Sequence, residues 1–162
     1  IVARIFSPLA LLTVVGYLVS VIYTGKDPYN DREFLWIFNL LLIGVMGLVV
    51  FSIAEFKDAE SRWNLFITIG LVGATVAINA IALSAIGFRI TEWGLTPNRL
   101  VVLGENALIF AHLIVILVGL INVARFTKAI KELELLVTRF LPVYGIWTGI
   151  VIFILPAAYQ FQ

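Results

Sequence analysis

The feature that most limits this chain is the length of its uncharged runs. From Trp63 to Phe88 there is no ionisable side chain, and from Leu100 to Val123 only Glu105 and His112 interrupt the apolar sequence. Such runs leave no polar face for water, whereas a hydrocarbon core of about 30 Å needs roughly 20 apolar residues per helix. Five stretches meet or approach that length, at residues 5–23, 34–54, 63–88, 100–123 and 140–159. Hydrophobic residues make up 62% of the chain and charged residues 13%, against about 45–50% and about 25% in soluble domains. The expected fold is an all-α polytopic transmembrane helix bundle, a single membrane domain over residues 1–162.

Composition also excludes chemistry. There is no cysteine, which removes disulfides, thiolate metal sites, iron–sulfur clusters and thiol nucleophiles. His112 is the one histidine and cannot build a multi-histidine metal site. A net charge of +1 with no dense basic run gives no footprint for nucleic acid. No HExxH, P-loop, GxGxxG or nucleophile elbow occurs, so catalytic motifs give no reaction.

The connecting segments fix the organisation. Residues 25–33 (GKDPYNDRE) combine turn residues with mixed charge, and residues 55–62 (EFKDAESR) are hydrophilic throughout. Both read as aqueous loops. Pro8 is expected near the first turn of span one, where a missing N–H costs least, and Trp36 as an interfacial anchor of span two. Arg4 followed by apolar residues has the outline of a signal peptide, but no small-x-small cleavage site follows before Lys26, so a retained first span is expected.

In residues 125–138, Phe126, Ile130, Leu133, Leu136 and Val137 recur at helical spacing opposite Lys128, Lys131 and Glu132. The pattern fits either an amphipathic helix lying at the membrane surface or an extension of span four or five. Five spans put Arg4, Lys57, Arg62, Arg125, Lys128, Lys131 and Arg139 on one side and Lys26, Arg32, Arg89 and Arg99 on the other. That imbalance favours the N-terminus inside and the C-terminus outside.

Within the spans, small residues and polar residues carry the information, because lipid gives helices no hydrophobic drive to associate. Gly73, Ala77, Ala80, Ser84 and Gly87 form one smooth face on span three, and Gly145 and Gly149 form a GxxxG in span five. Internal helix packing is the expectation, a dimer face the alternative. In span four, Asn98, Glu105, His112 and Gly119 recur every seven residues, which stacks them on one face with a drift of ~20° per step. With Leu100 at the hydrocarbon edge, Glu105 lies ~7 Å deep and His112 ~18 Å deep. Ionisable residues at such depth are functional candidates. Glu105 and His112 can serve as interhelical glue, as part of a proton or ion path helped by Asn39, Asn79 and Asn122, or, for His112 alone, as the ligand of a metal-centred macrocycle. Glue is the expectation, and the composition requires no cofactor.

One segment looks like a motif. Residues 89–99, RITEWGLTPNR, are polar and charged between two very apolar spans. Gly94 supplies an unconstrained turn, Asn98 can cap span four, and Thr96 precedes a proline that disfavours helix there. Arg89, Glu92 and Arg99 can pair locally. The sharper alternative is a headgroup or anion site in which two arginines and a helix N-terminus converge.

This segment resembles the R-I-x-E-[Y/W]-G-x-T-x-N-R stretch of a prokaryotic multipass membrane family, domain of unknown function 4153. Arg89, Glu92, Gly94, Thr96, Asn98 and Arg99 match, and Trp93 replaces a commoner Tyr. Residues 3–12 (ARIFSPLALL) and 139–156 (RFLPVYGIWTGIVIFILP) are similar to other spans of that family. The resemblance implies a polytopic protein of a prokaryotic inner or plasma membrane and carries no activity with it. The functional expectation is a non-enzymatic scaffold or subunit of a larger membrane complex, with the lipid bilayer and other membrane chains as partners. The alternative is a transporter or ion-path module using Glu105 and His112.

Overall fold

The computed structural model describes residues 2–24, 29, 32–56, 62–126 and 130–159. Among them the chain forms helices and no strand. α1 covers Val2–Thr24, α2 Arg32–Ala54, α3 Arg62–Trp93 and α4 Pro97–Phe126. α5 (Ile130–Thr138) and α6 (Leu141–Gly149) follow, and α6 continues through a π-helical turn (Ile150–Ile154) into α7 (Leu155–Tyr159). Five segments are long and apolar enough to cross a membrane, and the fifth runs from Ile130 to Tyr159. The chain is thus an all-α multipass bundle of five spans and a further helix.

The helices bury narrow seams rather than broad faces. On α1 the buried residues are Ser7, Val14 and Val21, seven apart. α2 contributes Phe38, Leu42, Val45, Val49 and Ile53, steps of four, three, four and four that keep one helix face inward. The most extensive seam joins α3 to α4, and Leu71, Val72, Ile78 and Ala82 of α3 and Leu113, Ile116 and Leu120 of α4 are fully buried in one core. The outward faces stay apolar, with Leu12, Ile22, Leu40, Phe51 and Phe153 exposed. That distribution suits a hydrocarbon solvent, since lipid tails cover Leu and Phe at no cost.

Several boundaries differ from the sequence reading. α1 begins at Val2, so Pro8 lies in its second turn, inside the helix. α3 has 32 residues, ~48 Å of helix, and reaches well past the hydrocarbon. Arg125 belongs to the last turn of α4, and residues 127–129 lie outside the described residues. The amphipathic segment is α5, which turns back along α4. Its buried residues are Leu133 and Val137, and a Cβ added to Gly119 would come within 2.6 Å of Leu133. α6 continues the same antiparallel path, carrying Pro142 at its start, where proline is tolerated. The π turn lies where the Pro156 ring would otherwise crowd the carbonyl of Ile152, a known cause of local helix rearrangement.

The small-residue faces do not pack inside the bundle. Ala77, Ala80 and Ser84 are exposed, as is Gly145, and α3 buries Thr68, Thr75, Asn79, Ala82 and Ala85 instead. A step of four and three residues was legible, but the helix presents its neighbouring stripe to its partners.

Candidate functional site

The α3–α4 turn is built by the residues that stood out in the sequence. Gly94 takes a left-handed φ of 76°, which costs glycine nothing and reverses the chain after α3. Thr96, not Asn98, caps α4. Its Oγ1 accepts the Arg99 N–H at 3.3 Å, Pro97 is the first helical residue, and the Leu100 N–H reaches the Thr96 carbonyl at 2.9 Å. A threonine three residues before the donated N–H, followed by proline, is the favoured start of a helix. Proline disfavours helical backbone in the residue before it, which suits Thr96 to the non-helical cap position. Asn98 lies inside the first turn.

Arg99 bonds backbone carbonyls where pairing with Glu92 is expected. Arg99 Nη1 donates to the Trp93 carbonyl at 2.8 Å and to the Gly94 carbonyl at 2.6 Å, closing the C-terminal end of α3. Glu92 is exposed on the last turn of α3. Arg89 is 9% exposed, and its Nε donates to the Tyr29 carbonyl at 2.9 Å. Tyr29 also meets Ser84 Oγ through its hydroxyl at 3.2 Å and Phe88 edge-on at 5.5 Å. These contacts bring the first loop to the same end of the bundle as the α3–α4 turn. Trp93 lies between the two arginines, with guanidinium carbons 6.0 Å (Arg89) and 5.8 Å (Arg99) from its ring centroid, within cation–π range.

Beneath this turn lies a crevice of about 620 Å³ between α2, α3 and α4. Arg89, Trp93, Thr96, Asn98, Arg99 and Glu105 line it from α3, the turn and α4, and Trp36, Asn39, Leu40 and Ile43 line it from α2. Its volume falls in the range of small-molecule sites, roughly 300–1,000 Å³. Among the described lining residues, two guanidiniums, Arg89 and Arg99, stand with one carboxyl, Glu105. Leu40, 75% exposed, is among the lining residues, so the crevice has an apolar lip toward lipid in addition to the exposed Trp36, Trp93 and Asn98 toward the turn. A second cavity of about 390 Å³ shares Ile43 and Glu105 with the first and continues past Met46, Ile109, Tyr144 and Trp147. Gly104 sets its wall: a Cβ there would fall on the Trp147 indole, so only glycine lets that ring lie on α4.

Glu105 and His112 share a face of α4 but not a surrounding. Glu105 lines both cavities. His112 lines neither: it is 3% exposed, its ring stacks on Phe140 with centroids 4.2 Å apart and planes at 1°, and Nδ1 meets the Tyr144 hydroxyl at 3.2 Å. Gly119, next on the same stripe, receives Leu133. The inner half of the seven-residue stripe, His112 and Gly119, is thus the part of α4 that α5 and α6 cover.

A polar cluster that the sequence reading missed is centred on Asn106, itself 1% exposed. Its Nδ2 donates to Asn39 Oδ1 at 2.9 Å and to the Val102 carbonyl at 2.8 Å. Asn79 Nδ2 donates to the Asn106 carbonyl at 3.1 Å. Asn39 and Asn79 therefore converge, from α2 and α3, on one residue of α4. The signal was available: an asparagine inside an apolar span seeks a partner, and Asn106 sits beside Glu105. Among the described residues no group of three or more His, Cys, Asp or Glu could hold a metal ion.

Comparison of the chain with protein-family models, with curated proteins and with solved structures gives no match.

Proposed function

We propose that this chain is a non-enzymatic, membrane-embedded binding subunit that holds the anionic head of an amphiphile in the crevice between α2, α3 and α4. The observation that carries this reading is the placement of Arg89 and Arg99 on the lining of a cavity that has an apolar lip at Leu40. Arg99 uses Nη1 for two carbonyls, which fixes the guanidinium and leaves further N–H groups to meet a phosphate or carboxylate. Trp36 and Trp93, both exposed, belong at headgroup level. A soluble anion would reach the same arginines from the turn, whereas a bilayer amphiphile enters past the apolar lip. The same geometry supports a subunit role, because a bound amphiphile at an open groove presents itself to a neighbouring membrane chain.

The test is lipid retention by the purified full chain, read by native mass spectrometry from mixed vesicles of matched acyl composition. Anionic lipid is expected to be retained over neutral lipid, and Arg99→Gln is expected to weaken that retention about tenfold or more, the size of a charge-assisted hydrogen bond. Equal retention by Arg99→Gln and the unaltered chain would overturn the reading.

A further inference from the structure

We infer that Asn39 of α2 donates a hydrogen bond to the ester carbonyl of a lipid lying in the crevice, and that Asn106 of α4 turns the Asn39 amide so that it can. The inference rests on the reading above only for the presence of a lipid in the crevice. It does not require one molecule to reach Asn39 and Arg99 together.

Two hydrogen bonds settle which end of each amide is which. The Val102 carbonyl can only accept, so the Asn106 atom 2.8 Å from it is Nδ2. The same nitrogen gives its second hydrogen to Asn39 at 2.9 Å, and only an oxygen can receive it. Asn106 cannot turn over, because the exchange would set its oxygen against the Val102 carbonyl. Asn39 is thereby committed. Its Oδ1 faces Asn106, which is fully buried, and Nδ2 is the end that remains. Nδ2 makes no hydrogen bond among the described residues, yet it is not sealed in. Asn39 itself is half-buried and lines the crevice.

A donor in so apolar a setting calls for an acceptor, since an unmet N–H costs free energy there. Its level along α2 identifies the acceptor. Trp36, one turn nearer the start of α2, is 70% exposed and suits the membrane interface. Asn39 lies ~4.5 Å deeper along the helix. Leu40 and Ile43, next on the crevice lining, are apolar. In a bilayer the polar groups at the border between heads and hydrocarbon are ester carbonyls, which accept and have no hydrogen to give. A fixed N–H at that border matches an ester carbonyl, whereas an ammonium would meet it donor to donor.

The experiment compares two phosphatidylglycerols of the same head and chain length, one ester-linked and one ether-linked, by native mass spectrometry of the purified full chain. The ether lipid lacks the carbonyls, and its ether oxygens are poor acceptors. The shared head cancels whatever the arginines contribute, so the retention ratio reports the linkage alone. The ester lipid is expected to be retained about fivefold over the ether lipid, the size of one neutral hydrogen bond. Asn39→Leu should remove the difference. Asn106→Leu should reduce it with Asn39 intact, an effect that lost stability alone would not produce. Arg99→Gln should weaken both lipids and leave the ratio unchanged. Equal retention of the two lipids by the unaltered chain, which needs no variant to fold, would overturn the inference and leave water as the partner of Nδ2. A ratio that survives Asn39→Leu would overturn the assignment to Asn39, and one that survives Asn106→Leu would overturn the positioning role. Indifference of both lipids to Arg99→Gln, with the ratio intact, would overturn the headgroup reading and leave the carbonyl assignment standing.

Discussion

The two halves of α4 share a helix, a stripe and a solvent, and differ in what covers them. From Asn98 to Glu105 the helix lines a crevice walled by α2 and α3; from His112 to Gly119 its stripe is closed over by Phe140, Tyr144 and Leu133. Glu105 and His112 are equivalent as letters on a seven-residue repeat. One borders an opening and the other is stacked against an aromatic ring. A polar residue inside a span is therefore a question about its neighbour: the fifth span stacks directly on His112, whereas beside Glu105 it leaves a cavity.

Gly104 marks the boundary between the halves, and altering it should have the largest effect. Gly104→Leu would drive the Trp147 ring off α4, an overpacking loss of about 3 kcal/mol, and should also weaken lipid retention; denaturant titration in mixed micelles measures the first. A variant as stable as the unaltered chain would mean that the ring does not hold the two halves apart. Next comes the amide cluster. Asn106→Leu removes the donor to Asn39, and the stranded half-buried acceptor should cost about 1 kcal/mol. The smallest effect belongs to the sealed half. His112→Leu leaves the Tyr144 hydroxyl without its ring nitrogen, for a loss of at most about 1 kcal/mol, whereas His112→Gln should recover much of it because an amide can bond in its place. If His112→Gln matched His112→Leu in stability, the contact would be packing rather than hydrogen bonding. A proton flux in reconstituted vesicles that vanished in His112→Gln would erase the contrast between the halves altogether.

Span number and helical class were legible because apolar length is a property of the chain alone. Glu105 and the turn residues Arg89, Gly94, Thr96 and Arg99 were legible for the same reason, as polar groups in an apolar setting. What the sequence left hidden depends on which helix comes next to which. The Thr96 cap was assigned to Asn98 because both types cap helices, and only the position of Pro97 as the first helical residue separates them. The exposed small face of α3, the burial of Leu133 over Gly119 and the meeting of Asn39, Asn79 and Asn106 are all rotational facts. A helix 20° further round would present different residues, and composition does not set that angle.

The turn at Gly94 also bears on the order of assembly. It joins α3 to α4 through three residues, Gly94 to Thr96, so the most extensive seam of the bundle connects segments adjacent in the chain. Closing so short a loop costs little entropy, and contacts local in sequence form early. The α3–α4 hairpin is therefore the natural first unit to pair as the chain enters the bilayer, with Thr96 and Gly94 setting its register before α5 and α6 exist to cover it. Through that interval the face bearing Glu105 and His112 lies open to lipid over its full length. The fifth span then closes one half of a face that the hairpin has already formed.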